Sequence, residues 1–225
     1  MKIKSVFLLC VCCFVIGSVR AQSEIDSSYA NGYYVKKMEE FRKQPPVKGG
    51  WVFIGNSITE AGHWDKRWAQ YRAIDRGISG DNSFGVKNRI EEALRHQPEK
   101  VMVMIGVNDL KRGTPVKAIK KNYEAIVKQL YRNPGKPEVY LQSVLPVQPV
   151  GIADIYKRIR NKDVRQLNKY LKKLARRYAM HYVDLYMVFA DDRKSLREGL
   201  DTDKLHLSER GYELWEETLH KAMNQ

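Results

Sequence analysis

Two short runs without a polar residue, Trp51-Val52-Phe53-Ile54 and Val101-Met102-Val103-Met104-Ile105, constrain this chain more than any other feature. Each stops at a glycine, Gly55 or Gly106. A strand that is apolar on successive residues is buried on both faces, as strands are in a parallel sheet lying between helices. The segments between and around these runs fit that arrangement. Tyr29–Gln44 reads as an opening helix ended by Pro45-Pro46, and Trp64–Gln70 as a short helix whose two tryptophans pack. Arg72–Ile78 is a second, less apolar strand. A helix then starts at Asp81, Asn82 or Ser83 and runs to about His96. After the 101–105 strand a loop through Gly113 leads to Pro115 and a helix to about Arg132, broken by Asn133-Pro134-Gly135. Glu138–Val144 is a fourth strand, followed by the proline-stiffened loop Leu145–Pro149. A long basic amphipathic helix is expected over about Asp154–Ala179, with Ile155, Ile159, Leu167, Leu171 and Leu174 towards the core. Tyr182–Leu185 is a short fifth strand, and Ser208 caps a last helix. Strands joined through helical crossovers make an α/β fold with a parallel sheet covered on both faces.

The first 21 residues stand apart. Two lysines precede an uncharged apolar block, Ser5–Gly17, and Val19-Arg20-Ala21 resembles a peptidase site, so cleavage is expected before Gln22. The block is shorter than the roughly 20 apolar residues of a membrane span. All three cysteines (Cys10, Cys12, Cys13) lie in it, so residues 22–225 contain no disulfide, thiol nucleophile or thiolate ligand. Their length suits one domain. The expectation is an exported chain, periplasmic or secreted, with no stable membrane insertion once the leader is removed. Net charge is +14, and +11 without residues 1–21. Much of it sits at helical spacing in 157–177, as on a solvated face, and no aromatic-interleaved motif accompanies it, so a nucleic-acid partner is not expected.

In open α/β sheets ligands gather beyond the carboxyl ends of the strands. Ser57 follows the first strand there, Gly80 the second and Asn108 the third. A serine on such a turn is a nucleophile once a base takes its proton. Of five histidines His206 is the best placed, three residues after Asp203, whose carboxylate can fold back onto Nδ1–H. Asp201 and Asp184 compete for that role. His63, His96, His181 and His220 lack partners at useful spacing. Attack on an ester carbonyl needs preorganised donors, which the Ser57 and Gly80 amides and the Asn108 side chain can supply. Gly80 equally suits a bare turn, and Asn108-Asp109 the start of a helix. No histidine pair or aspartate-rich loop points to a metal.

Gly55-Asn56-Ser57, Gly80 within Arg76-Gly-Ile-Ser-Gly-Asp81, Gly106-Val-Asn108-Asp109 and Asp203-Lys-Leu-His206 resemble, in order, the four motif blocks of the SGNH (GDSL-type) hydrolases. The likeness runs from about Val52 to Tyr212, through Leu141–Pro146 and the Leu-Ser-x-x-Gly-Tyr segment after His206. It implies a flavodoxin-like three-layer α/β/α sandwich with five parallel strands and no metal or organic cofactor. It also implies Ser57 as nucleophile, His206 as base, Asp203 as its orienting acid, and an oxyanion hole from Ser57, Gly80 and Asn108. Asn56 departs from the aspartate in the family's name, a change that keeps the turn's hydrogen bonding and loses the charge. The subgroup most resembled is that of platelet-activating-factor-acetylhydrolase-like proteins and carbohydrate esterases.

The expected function is therefore hydrolysis of a short acyl ester, acetyl foremost, on a small molecule or glycan. A lipid esterase or lysophospholipase and a non-catalytic glycan-binding module are the alternatives. The alcohol and the oligomeric state are not written in the sequence.

Overall fold

The computed structural model describes residues 25–224, so the expected leader, 1–21, lies outside the described residues. Its centre is a sheet of β1 (Trp51–Gly55), β2 (Ile74–Gly77), β3 (Lys100–Met104), β4 (Glu138–Gln142) and β5 (His181–Val183). All four pairings are parallel, in the order β2-β1-β3-β4-β5. Every residue of β1 is buried, as is every residue of β3 after Lys100, so both apolar runs are central strands. The helices are α1 (Gly32–Lys43), α2 (Ser57–Glu60), α3 (Trp64–Arg67), α4 (Ser83–Leu94), α5 (Val107–Arg112), α6 (Val116–Arg132), α7 (Asn161–Arg177), α8 (Leu185–Phe189) and α9 (Glu209–Met223).

Helices α4, α6 and α7 pack side by side in one layer. Helix α9, joined to α3 through aromatic rings, covers the other face. Trp64 stacks on Phe53 of β1 at 4.2 Å and meets Trp215 of α9 edge-on at 4.8 Å. Trp64 and Trp68 are fully buried, which makes them packing residues as expected. Buried aromatic pairs of this kind add about 0.5–1.5 kcal/mol each beyond the area they bury. One hydrogen bond fastens α9 to the sheet, Trp215 Nε1 donating to Gln142 Oε1 of β4 (2.5 Å), and a second fastens it to α2, Tyr212 Oη donating to the Ile58 carbonyl (2.8 Å). The three-layer α/β/α sandwich with five parallel strands is the fold expected.

Three local differences have identifiable causes. The expected loop after β3 is helix α5. Gly106 takes φ 133°, outside the range of other residues, and starts the helix at once; a Cβ there would also press on Leu167 and Val144. The expected helix over 154–179 is divided into a 3₁₀ turn, Asp154–Tyr156, and α7. Asn161 makes two hydrogen bonds to the Val147 backbone, which ties the start of α7 to the loop after β4 and overrides helical continuity. Ile155 is consequently 62% exposed and not a core residue, whereas Ile159 is buried outside the helix. Finally, β5 ends at Val183, because Asp184 caps α8 and draws Leu185 into it.

Candidate active site

The order of strands reverses between β1 and β3, and the loops leaving these two strands form the floor of the site. Asn56 is buried after β1, and its Oδ1 accepts from the Ile58 N–H at 3.0 Å as the cap of α2. An amide oxygen is sufficient for that bond, which accounts for asparagine where the resemblance implies aspartate. Ser57 is thereby the first residue of α2, on a sharp strand-to-helix turn.

The loop before α9 brings the other groups. Ser57 Oγ lies 3.0 Å from His206 Nε2, and His206 Nδ1 lies 2.7 Å from Asp203 Oδ2. Asp203 Oδ1 also accepts from the backbone N–H groups of His206 (2.7 Å) and Leu205 (3.1 Å). Partial burial raises the Asp203 carboxyl, but these bonds outweigh it and hold the group below the ordinary carboxylate range. Of the competing acids, Asp201 accepts from the Lys204 N–H and Asp184 caps α8. The carboxylate on His206 is that of Asp203. Lys204, at φ 74°, supplies the left-handed step between Asp203 and His206.

Gly80 is the third residue of a turn closed by the Asp81 N–H on the Ile78 carbonyl (3.0 Å), with φ 80° as a type II turn demands. Asn108 is in the first turn of α5, and its Nδ2 donates to the Asp81 carbonyl at 2.9 Å. Arg89 joins these pieces from α4. Its Nε donates to Asp81 Oδ2 (2.8 Å) and its Nη2 to the carbonyl of Gly55 (2.9 Å), two residues before Ser57. On the other side of the turn, Glu60 accepts from both the N–H and the hydroxyl of Ser79. Burial raises Glu60, and the bonds from Ser79, Tyr33 and Lys37 overcome it to lower its pKa. Asp109 accepts from the Ser83 N–H (2.9 Å) and hydroxyl (2.5 Å), and its near-complete burial pushes its carboxyl up to about 6.

The structure thus places Ser57, His206 and Asp203 in direct contact, and links Gly80 and Asn108 through Asp81. Arg89, Glu60 and Tyr156 were not anticipated. Arg89 had a signal: it occupies one position of the apolar stripe Val86, Arg89, Ile90, Ala93, all buried. Tyr156 meets the His206 ring edge-on at 6.3 Å, and no spacing in the sequence announced it. The remaining histidines are used elsewhere. His96 is buried against the Val47 N–H and Arg76, His181 pairs with Glu138, and His220 stacks on Trp68, while His63 stands before α3 at φ 47°.

Residues adjacent in sequence to Ser57, Asn108 and His206 line a small cavity of about 10 Å³: Asn56, Ile58, Val107 and Leu205, with Val144 and Leu145 among the rest. That volume is close to what one water molecule needs. Among the described residues no group of three or more His, Cys, Asp or Glu is placed to hold a metal, and no helix is long and apolar enough to cross a membrane. A hydroxyl beside an imidazole that is oriented by a carboxylate is equipped for acyl transfer through a covalent intermediate.

Comparison with known proteins agrees with this chemistry. Residues 53–214 match the model of the GDSL-like lipase/acylhydrolase family. No curated protein sequence matches the chain. Among solved structures, a candidate platelet activating factor from Streptococcus pneumoniae is 26% identical with a TM-score of 0.77, over 84% of this chain and 92% of the other. A GDSL-like lipase from Bacteroides thetaiotaomicron is 23% identical with a TM-score of 0.74, over 85% and 97%. An acetylxylan esterase from Geobacillus stearothermophilus shares the fold at 17% identity, with a TM-score of 0.62 over 80% and 97%. With the family model covering most of its length, this chain belongs to the GDSL-like lipase/acylhydrolase family and is a carboxylic ester hydrolase.

Proposed function

We propose that the chain is an exported serine esterase, a single catalytic domain over residues 22–225, that removes short acyl groups, acetyl foremost, from a carbohydrate or related ester. The relay from Ser57 Oγ through His206 to Asp203, at 3.0 and 2.7 Å, is the observation that carries this reading. Ser57 Oγ attacks the ester carbonyl carbon while His206 Nε2 takes the hydroxyl proton. Asp203 fixes the tautomer and stabilises the imidazolium that forms. The carbonyl electron pair moves onto oxygen, which receives the N–H groups of Ser57 and Gly80 and one N–H of the Asn108 side chain. Asn108 has two such hydrogens; the Asp81 carbonyl takes one and so aims the other. Collapse expels the alcohol with the proton from His206. Water, activated by the same imidazole, then releases the acid from acyl-Ser57.

The methyl-sized cavity beside Ser57 supports a short acyl group. An acetylxylan esterase with the same fold supports a carbohydrate alcohol. The leader-like residues 1–21 support a periplasmic or secreted location. A second reading, a lipid esterase, is favoured by Val150 and Ile155, which stand 78% and 62% exposed on the loop that carries Tyr156. Incubation with a fluorophosphonate should leave an adduct on Ser57, absent in Ser57→Ala and much slowed in His206→Ala. An unlabelled Ser57 would overturn the mechanism, and faster hydrolysis of long than of short nitrophenyl esters would favour the lipid reading.

A further inference from the structure

The rim around His206 is unevenly charged. Lys111 lies on α5 three residues after Asn108, hence on the same side of that helix. Its Nζ sits 4.7 Å from the ring centroid of Tyr156, the ring that meets His206 edge-on at 6.3 Å. Tyr156 therefore neighbours both the imidazole and a cation. Next to it, a groove of about 400 Å³ runs between the end of α5 and the start of α7, lined in part by Gly113, Lys157, Arg158, Arg160 and the acidic Asp163. That is the size of a small-ligand site. Arg158 closes it over Gly113: its Nη1 would be 3.6 Å from a Cβ added there.

The cations of this rim differ in their company. Lys157 pairs with Asp154 at 2.6 Å and Arg160 with Asp163 at 2.6 Å. Neither Lys111 nor Arg158 has a carboxylate partner among the described residues. Asp203, the acid on His206, is committed to the imidazole and to two backbone N–H groups. Arg158 in the groove wall and Lys111 on the Tyr156 ring are thus cations without counter-charges, while the groove's own carboxylate, Asp163, is held by Arg160.

We propose that this groove takes the alcohol half of the ester and that this half bears a carboxylate, as in an acylated acidic sugar, with Lys111 and Arg158 as its counter-charges. The inference rests on the esterase reading and adds the class of alcohol. The ester carbonyl sits at Ser57 with its small acyl group in the cavity beside Asn56 and Ile58. The sugar extends past Tyr156, and its carboxylate falls between the ammonium and the guanidinium. Arg158 binds it through parallel N–H groups and Lys111 as a point charge. Both cations are near solvent, so the contribution is to specificity and encounter, and it weakens with salt.

The test compares acetylated oligogalacturonate with acetylated xylo-oligosaccharide by released acetate. The wild type should show kcat/KM higher for the uronate by about tenfold, the scale of one charge-assisted contact, with the ratio falling as salt is raised. Lys111→Gln combined with Arg158→Gln should bring the ratio close to one, and Lys111→Arg should keep it. Equal rates on the two polymers in the wild type would overturn the inference, as would a double variant that keeps the wild-type ratio. A clear preference for an acetylated glycerophosphate ester over the uronate would also overturn it, in favour of a phosphate-bearing alcohol. Binding of unacetylated oligogalacturonate against neutral xylo-oligosaccharide to Ser57→Ala gives a readout without turnover. Selective uronate binding supports the groove even if Ser57 proves unreactive to fluorophosphonate. Labelled Ser57 without uronate selectivity removes this inference and leaves the esterase intact.

Discussion

Replacing Arg89 by methionine tests how the site is held together. The Arg89 side chain is fully buried, as is that of its partner Asp81. It gives one hydrogen bond to that carboxylate and one to the carbonyl before the Asn56-Ser57 turn. Removing one member of a buried ion pair costs about 3–5 kcal/mol, because the other charge is left in a low-dielectric interior. Arg89 Nη1 is itself buried without a partner, so its loss returns part of that cost and places the net effect near the lower end. At about 2–4 °C per kcal/mol for a protein of this size, the melting temperature should fall by about 6–12 °C at pH 8. The deficit should shrink in acid. Burial raises the Asp81 pKa, against the pull of Arg89, and without Arg89 it rises further. A folded carboxyl with a raised pKa holds a proton that the unfolded chain has lost, so its penalty grows as pH climbs above the unfolded value and fades as pH falls. Asp81→Leu together with Arg89→Met removes both charges and should recover most of the stability. Calorimetric scans from pH 5 to pH 8 on the two variants, with nitrophenyl acetate turnover alongside, decide the matter. A melting point for Arg89→Met within about 2 °C of wild type at pH 8, or a deficit equal at pH 5 and pH 8, would refute the reasoning.

Four further outcomes are expected. Asn108→Ala should lower kcat by about 10²–10³, the loss of one oxyanion donor worth about 2.7–4 kcal/mol, with little change in KM; a loss below tenfold would remove Asn108 from the hole. Asp203→Asn should reduce kcat/KM far more than Asp184→Asn, measured on the same ester, and the reverse order would reassign the acid. Burial pushes Asp75 up to about 7, so the folded chain keeps its proton between about pH 4 and 7 while the unfolded chain has released it, and stability should decline as pH rises through that window. Asp75→Asn should flatten that decline in urea titrations; the slope persists in part through Asp109, which burial raises in the same sense. Leu145→Ala should enlarge the cavity beside Ser57 and shift the butyrate-to-acetate ratio upward on nitrophenyl esters; an unchanged ratio would mean that the cavity does not receive the acyl group.

What the sequence disclosed, and what it withheld, follows from the range of the interactions. The strands at 51–55 and 100–104 were legible because burial on both faces leaves no polar position to confuse the period. The meeting of Ser57, His206 and Asp203 was legible from short motif blocks that resemble those of a known family. Helix α5 was legible only in the alternative reading of Asn108-Asp109 as a helix start, since its position depends on Gly106 reaching φ 133°, which no periodicity reports. The break before α7 was hidden for a similar reason: the bonds that cause it run from Asn161 to Val147, fourteen residues away. Ile155 followed a helical pattern and was assigned to the core, but the pattern spans a turn. The Asp81–Arg89–Gly55 link reaches across three elements, and only the out-of-place arginine in an apolar stripe hinted at it.

The separation of Ser57 and His206, 149 positions apart yet 3.0 Å from one another, bears on when such a chain becomes active. During synthesis the serine is made 149 positions before the imidazole, and the imidazole before the helix whose Tyr212 and Trp215 fasten to α2 and β4. A nascent or half-assembled chain therefore carries a serine with nothing to deprotonate it. On the proposed mechanism turnover begins once the turn after β1 and the loop before α9 have met, so reactivity toward a fluorophosphonate would report that long-range closure rather than either segment alone.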